Sequence, residues 1–348
     1  MKTQFQLKVL SLLFFLFLGG TAGAIEPPLN ILFIGNSFTH MNSMPKMFDR
    51  IATSNKQNVH VEMSAKSNHT FKMHCERPEM FDKIKARKWD YVIIQGFSRE
   101  LIDDYNYIDT ACMPYFNEIV DSIYLNNPCT NILLYETWGY KNGLNDSTHV
   151  MTFDEMTDHI ERGYKYLSEL YTIPIVPVGK VWQDVVNKHK GINLYAEDLA
   201  HPSQYGSYLV ACSFYTAIFK KAADDSFTDG LDPVKIKAIH ASAYNYILTN
   251  IDKYKLKMNS MFVSSEKLKN GNLKVRCKEY FSEADSVKWD FGDGKISNYH
   301  SLSHVYTKEG TYLIKLTVYD TCGTRVLFKD VILKKVKVPS KTTTTPKR

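Results

Sequence analysis

An alternation of short apolar runs and longer helical patterns between residues 29 and 254 most strongly constrains the fold of this 348-residue chain. Five apolar runs have the length of buried strands, at 30–34, 59–63, 91–95, 131–135 and 173–178. Helical patterns lie between and after them, at 44–54, 80–85, 111–124, 153–170, 181–188, 204–222 and 233–252. Apolar strands that alternate with helices are typical of a parallel sheet covered on both faces. The sequence therefore predicts a three-layer α/β/α domain, flavodoxin-like in outline.

The sequence pattern changes near residue 255, where short alternating strands and turns replace the helical periodicity. The clearest strand patterns are 272–277, 286–291, 311–319 and 326–333, and Asp293-Gly294 is a pair typical of hairpin turns. Several short strands separated by turn signals predict a small all-β, immunoglobulin-like sandwich.

Four segments of this second unit resemble the PKD domain, a β-sandwich of immunoglobulin-like architecture found mainly on extracellular proteins. They are WDFGDG at 289–294, HVY at 304–306, EGTY at 309–312 and LTVYD at 316–320. The resemblance covers nearly all of residues 258–335. It implies a spacer, or a unit that contacts glycans or a cell surface, and such a unit need not carry out chemistry.

Residues 1–24 have the features of a secretory signal peptide. Lys2 and Lys8 supply the positive region, residues 9–18 form the apolar core, and the small residues at 22–24 form a cleavage site. The core is too short for a comfortable membrane span, and no later segment is long and apolar enough to cross a bilayer. We therefore expect a secreted product, periplasmic or extracellular, without a stable membrane span.

These patterns divide the chain into four parts. We expect a signal peptide at 1–24, an α/β domain at 25–255, a sandwich at 256–336 and a tail at 337–348. The tail consists mainly of Thr, Lys and Pro, which cannot bury a core, so the sequence predicts that it is disordered.

Charge and cysteine spacing disfavour two classes of function. The chain has 43 Lys and Arg against 37 Asp and Glu, and no basic helix or basic-aromatic stripe, which disfavours nucleic-acid binding. None of the six cysteines has the paired C-x-x-C spacing of a zinc site.

An oxidising compartment permits disulfides, and Cys277 and Cys322 could pair within the C-terminal unit. Cys212 has the pattern of a small buried hydrophobe.

Two distant segments carry the residue types of a serine hydrolase. The run ILFIGNSFT at 31–39 predicts a strand followed by a turn, which places Ser37 at the carboxyl edge of the sheet, where ligands bind. The segment DLAHPS at 198–203 supplies Asp198 and His201 in a loop before a helix. A serine hydroxyl needs a base to remove its proton, and a carboxylate can hold an imidazole in the required tautomer. Glu197 is a weaker competitor for this orienting role.

The order of these segments resembles the SGNH (GDSL-type) hydrolase family over about residues 29–222. In that family the nucleophile lies in the first strand-to-turn block, and D-x-x-H closes the last block. The resemblance implies an ester-hydrolysing enzyme in which Ser37 is the nucleophile, His201 the general base and Asp198 the orienting carboxylate. This chemistry needs no metal and no cofactor.

The family also supplies three donors to the oxyanion, and here the sequence departs from its pattern. The Ser37 N–H is the first donor. The second is a glycine N–H after the second strand, but the segment SAKSNHT at 64–70 has no glycine, which leaves Ser67 or Asn68. The third is an asparagine side chain after the third strand, where this chain has Gln95. Because one missing donor typically costs ~10²–10³ in rate, these gaps are compatible with a slow enzyme.

Two further residues are expected to line the substrate site. Asn36 replaces the family's Asp before the serine, and Trp138 follows the fourth strand at the same edge. Trp138 could equally be a half-buried packing aromatic. The histidines His69, His74 and His149 lie in predicted loops, where we expect them to be solvated rather than to bind metal.

The expected function is hydrolysis of a carboxylic ester, on a small molecule or a polysaccharide, through an acyl-enzyme. The family includes acetyl esterases of decorated glycans, lipases and thioesterases, and secretion together with a PKD-like unit favours an O-acetylated carbohydrate by analogy. Two alternatives stay open. One is a catalytically degenerate protein that binds glycans or surfaces, and the other is a lipase or thioesterase with an apolar acyl pocket.

Overall fold

The structure is a computed structural model that describes residues 27–257, 259–281 and 284–334. The predicted signal peptide at 1–24 and the predicted tail at 337–348 lie outside the described residues. Within the described ranges, no helix combines the length and apolar character needed to cross a membrane.

The first domain is built on a parallel sheet with the strand order β2-β1-β3-β4-β7. Its strands, with a small antiparallel hairpin formed by β5 and β6, are β1 Leu29–Gly35, β2 Val59–Ala65, β3 Tyr91–Ile94, β4 Asn131–Tyr135, β5 Leu144–Asn145, β6 Val150–Met151 and β7 Ile175–Val176. The register pairs β1 with β2 from Leu29↔Val59 to Gly35↔Ala65. The predicted strand at 173–178 is shortened to β7 because Pro174 and Pro177 cannot donate to a strand ladder.

Within residues 27–257, ten α-helices accompany this sheet. They are α1 Ser37–His40, α2 Met44–Ser54, α3 Phe71–Cys75, α4 Pro78–Lys85, α5 Tyr105–Tyr107, α6 Met113–Asn126, α7 Phe153–Tyr171, α8 Val178–Lys188, α9 Gln204–Phe219 and α10 Pro233–Thr249. On one side α2 packs against α9, and α9 against α10, while α6 packs against α3 and α4. The chain connects β1 to β2 on one side of β1 and then crosses over to β3 on the other side. Because such connections are right-handed, the two groups of helices lie on opposite faces of the sheet. The predicted three-layer α/β/α fold is confirmed.

The second domain is an antiparallel sandwich of two sheets, ordered β11-β10-β13-β14 and β12-β9-β8. Its strands are β8 Met261–Lys267, β9 Leu273–Glu279, β10 Ala284–Asp290, β11 Ile296–Ser297, β12 Ser301–Tyr306, β13 Gly310–Asp320 and β14 Gly323–Leu333. Alternating residues of both sheets face a core around Trp289, which is completely buried. The predicted all-β sandwich is confirmed.

The pairing of Cys277 with Cys322, which the sequence left open, is not formed. Cys322 lies in the turn between β13 and β14 and forms a disulfide with Cys129, which precedes β4 in the first domain. Cys277 is a free thiol that points into the sandwich core and is 1% exposed. The pattern could not predict this bridge because it joins residues 193 positions apart, in two different domains.

Candidate active site

Ser37 directly follows the end of β1, at the point of the sheet where the strand order reverses. The chain passes from β1 to β2 on one side of β1 and then continues with β3 on the other side. Asn36 caps the short helix α1, of which Ser37 is the first residue. Gly35 is required for this tight exit, because a Cβ there would lie 2.3 Å from Thr39 Oγ1 and 2.5 Å from Gln95 Oε1. The strand end and the following turn therefore pack more closely than any larger residue allows.

Asn36 connects the ends of three neighbouring strands rather than lining a substrate site. Its Oδ1 accepts hydrogen bonds from Phe38 N at 3.1 Å and Gln95 Nε2 at 2.9 Å. Its Nδ2 donates to the carbonyl oxygens of His69 and Gly96, both at 3.4 Å. The side chain is only 2% exposed, so the expected contact of Asn36 with substrate is not supported.

The structure brings Ser37, His201 and Asp198 into one hydrogen-bonded chain. Ser37 Oγ lies 2.8 Å from His201 Nε2, and His201 Nδ1 is hydrogen-bonded to Asp198 Oδ2. An ionised carboxylate accepts a hydrogen bond, so it favours the tautomer with the proton on Nδ1. The lone pair of Nε2 then faces the serine hydroxyl. This geometry matches a nucleophile, its base and the group that orients the base.

A tight turn gives the aspartate its place beside the imidazole. Asp198 Oδ1 accepts hydrogen bonds from the backbone N–H groups of Ala200 at 3.1 Å and His201 at 2.9 Å. Burial opposes ionisation of Asp198, but the hydrogen bonds from the His201 ring and these amides outweigh it and lower the pKa of the carboxyl. Glu197 is exposed, and it is Asp198 that contacts the imidazole.

Trp138 packs against the loop that carries His201, and neither face of its ring is free to contact substrate. Its Nε1 donates to Ala200 O at 3.0 Å. Its ring is stacked between Phe38, with centroids 4.5 Å apart, and Trp182, with centroids 3.9 Å apart. The side chain is completely buried, which corrects the expectation that it lines the substrate site and also that it is half-buried.

The turn after β2 replaces the expected glycine with an asparagine in a left-handed conformation. A hydrogen bond from His69 N to Lys66 O closes the turn, and Asn68 has φ +60°. Asparagine is one of the few residues that adopt this conformation readily. Lys66 N donates to Gly35 O at 3.0 Å, which holds the turn beside the end of β1.

Three backbone amides at this edge are available to bind an anion. The N–H groups of Ser37, Ser67 and Asn68 have no hydrogen-bond partner among the residues that the structure describes. Donors that are fixed before the reaction stabilise developing negative charge best. The assignment of Ser67 and Asn68 as oxyanion donors stays a prediction.

The expectation that Gln95 donates to the oxyanion is contradicted by its surroundings. Its Oε1 accepts from Thr39 Oγ1 at 2.7 Å and Asn36 N at 3.0 Å. Its Nε2 donates to Asn36 Oδ1 at 2.9 Å and to Gly96 O. The amide is fully buried and fully satisfied, so the extra methylene of glutamine serves to join β3 to the serine turn.

Sequence reasoning missed the role of two residues that organise this edge. His40, three residues after the nucleophile, places Nε2 at 2.9 Å from Ser67 Oγ and so joins α1 to the turn after β2. Glu100 accepts hydrogen bonds from Phe71 N and Phe97 N, both at 2.8 Å, although it is 6% exposed. The i, i+3 spacing of Ser37 and His40 could have indicated that His40 lies close to the nucleophile. Nothing in the local sequence marks Glu100 as buried.

The histidines expected to be solvated have different environments. His69 is 7% exposed and His74, on α3, is 1% exposed. Burial is the main reason that the pKa of His74 falls to about 3, so this ring is neutral at physiological pH. His149 is half-buried, and its Nε2 lies 2.8 Å from Asp103 Oδ1.

Comparison with known proteins places the second domain in a family. Residues 273–331 match the family model of the PKD domain. A 46-residue segment is 46% identical to the collagenase ColA of Clostridium perfringens, and covers 13% of this chain but only 4% of that protein. The C-terminal sandwich is accordingly a PKD domain, as its motifs predicted.

The first domain resembles solved structures of α/β proteins. A DUF4886 family protein from Bacteroides uniformis is 20% identical and has a TM-score of 0.54, over 64% of this chain and 95% of that one. A candidate SGNH hydrolase from Slackia heliotrinireducens is 21% identical, with a TM-score of 0.42 over 54% of this chain and 97% of that one. At this identity, the likeness to the Bacteroides uniformis protein shows the fold of the first domain alone.

Proposed function

We propose that this protein is a serine esterase that hydrolyses carboxylic esters through an acyl-enzyme intermediate. One observation carries the proposal: the 2.8 Å contact between Ser37 Oγ and His201 Nε2, with Asp198 bonded to the opposite ring nitrogen. A bystander serine has no need of an oriented base, whereas a nucleophilic serine depends on one.

The proposed reaction proceeds in two halves. Ser37 Oγ attacks the ester carbonyl while its proton passes to His201 Nε2, and the N–H groups of Ser37 and of Ser67 or Asn68 hold the oxyanion. Collapse of the tetrahedral intermediate breaks the C–O bond to the alcohol, which takes the proton from His201. Water then attacks the acyl-enzyme with His201 again as base, which releases the acid and restores the serine hydroxyl.

The proposed substrate is an O-acetyl ester on a carbohydrate, and the proposed location is outside the cytoplasm. The PKD domain supports both, since this domain resembles units that contact glycans or cell surfaces on extracellular proteins. A chain-length series of nitrophenyl esters tests the lipase alternative, which predicts a preference for long acyl chains.

Hydrolysis of p-nitrophenyl acetate by wild type and Ser37→Ala, together with fluorophosphonate labelling mapped by mass spectrometry, tests the activity. We expect turnover by wild type only, and an adduct on Ser37 alone. Equal background rates and no adduct would instead favour a degenerate glycan-binding protein. That second candidate is favoured by the engagement of the Gln95 amide, which leaves one family donor without a replacement.

A further inference from the structure

A cavity of about 430 Å³ lies at the carboxyl edge of the sheet. Its walls come from the segments that follow β2 and β3 and from the hairpin of β5 and β6, three connections that all project from this edge. We name it the rim cavity and define it by six residues, which are Lys72, Phe97, Arg99, Tyr107, Asp146 and His149.

The rim cavity shares two loops with the turn that carries Ser37. Asn36, which precedes Ser37, donates hydrogen bonds to the carbonyl oxygens of His69 and Gly96. The next residue after each of these carbonyls, Thr70 and Phe97, lines the cavity. Two walls of the cavity are therefore continuous with the loops that fix the serine turn.

Glu100 holds these two walls together. One carboxyl oxygen accepts from Phe71 N and the other from Phe97 N, each at 2.8 Å. Burial outweighs these two hydrogen bonds and raises the pKa of Glu100 to about 7. A buried group that joins both walls makes the cavity a preformed feature rather than a gap between mobile loops.

Two hydrogen-bonded pairs of polar side chains line the cavity. Arg99 donates to Asp146 Oδ2 at 2.8 Å, and His149 Nε2 lies 2.8 Å from Asp103 Oδ1. Lys72 and Arg99 are matched in number by Asp103 and Asp146, which leaves little excess charge to attract an ion. Each paired side chain is held in place and retains further donor or acceptor sites. Fixed polar groups without excess charge suit a neutral ligand that carries several hydroxyl groups.

An exposed aromatic ring completes the cavity. Tyr107 is 45% exposed, and no other aromatic ring of the described residues packs on it. Phe97 provides a second ring, with the Arg99 guanidinium 5.9 Å from its centroid. Aromatic faces pack against the C–H face of a pyranose, while neighbouring polar side chains bind its hydroxyls.

We propose that the rim cavity binds a neutral sugar residue adjoining the ester that Ser37 attacks. The inference rests on the proposed esterase function and makes its substrate class specific. A long acyl chain in this position would desolvate the Arg99–Asp146 and His149–Asp103 pairs without replacing their hydrogen bonds to water.

Tyr107→Ala tests the proposal, with Tyr105→Ala as the matched control. Tyr105 is 47% exposed but stacks on Tyr166 with centroids 4.3 Å apart and does not line the cavity. The substrates are p-nitrophenyl acetate and a panel of mono-O-acetyl methyl pyranosides of gluco, galacto, manno and xylo configuration. We expect Tyr107→Ala to raise KM about fivefold for at least one sugar ester, with kcat and the KM for p-nitrophenyl acetate unchanged. Tyr105→Ala should change neither.

The proposal is overturned if Tyr107→Ala affects both substrate types equally, or if wild type cleaves p-nitrophenyl acetate but none of the sugar esters. A binding measurement separates this failure from failure of the esterase function. Saturation-transfer NMR of Ser37→Ala with the unesterified methyl pyranosides requires no turnover. A signal that disappears in Ser37→Ala/Tyr107→Ala supports the sugar site even if Ser37 is not a nucleophile.

Discussion

His40 and Ser67 meet across the edge of the candidate active site, with Nε2 of the imidazole 2.9 Å from the serine Oγ. This contact joins the helix that begins with Ser37 to the turn that carries the backbone amides of Ser67 and Asn68. A side chain on the nucleophile's own helix thus positions the predicted oxyanion donors.

Removal of either partner should slow the chemical step without weakening substrate binding. We expect His40→Ala and Ser67→Ala each to lower kcat roughly fivefold to tenfold with KM unchanged, because the turn is no longer fixed for the transition state. The double variant should be no slower than either single variant, since both remove one interaction. His60→Ala, which alters a histidine paired with Glu62 on β2, is the control. Additive losses would show that the two residues act separately.

Asp198→Asn and Glu197→Gln distinguish the two neighbouring carboxylates. We expect Asp198→Asn to lower kcat by ~10³–10⁴, because an amide no longer selects the imidazole tautomer that accepts the serine proton. Glu197→Gln should leave kcat unchanged, since Asp198 makes the contact with the ring. Steady-state rates with p-nitrophenyl acetate measure both, and equal losses would reject the assignment.

Gln95→Ala should act on stability more than on the oxyanion. The variant leaves Asn36 N and the Thr39 hydroxyl without their buried acceptor, which we expect to lower the free energy of unfolding by about 2–4 kcal/mol. Urea unfolding measures this loss. An unchanged free energy of unfolding with a hundredfold lower kcat would instead make Gln95 a direct donor.

Glu100 should give the protein a stability that falls as pH rises. Below the ordinary glutamate pKa of 4.5 the group is protonated in both states, and between 4.5 and about 7 only the unfolded chain ionises. Unfolding is therefore favoured across this window, by roughly 3 kcal/mol at its upper end. Urea unfolding at pH 4.5 and 7.5 should show a weaker decrease for Glu100→Gln than for wild type. The exposed Glu169→Gln should retain the wild-type decrease, and a Glu100→Gln protein that does so too would contradict the assignment.

The Cys129–Cys322 disulfide should stabilise the arrangement of the two domains without affecting catalysis. Cys129 precedes β4 and so lies at the amino edge of the sheet, opposite Ser37. We expect Cys129→Ser to cost about 2–4 kcal/mol and to leave kcat for p-nitrophenyl acetate unchanged. Cys75→Ser, which alters a free thiol, is the control. Unaltered thermal unfolding with and without reductant would contradict this expectation.

The order of strands and helices could be predicted because it depends on local periodicity. The patterns at 131–135 and 44–54 coincide with β4 and α2, and the motif at 289–294 predicted the PKD domain. The short elements were missed, among them α3 and the hairpin of β5 and β6, because their few residues have no readable period.

By itself, the sequence determined the chemistry that is available: a serine after an apolar strand, and a D-x-x-H segment before a helix. Only the tertiary structure decided the neighbours of these groups. It buried Gln95 and Trp138 as supports, paired Cys322 with Cys129, and assembled the rim cavity from three separate connections. The physical reason is that residue type and spacing define local preferences, whereas burial and hydrogen-bond partners depend on segments that meet only when the whole chain has packed.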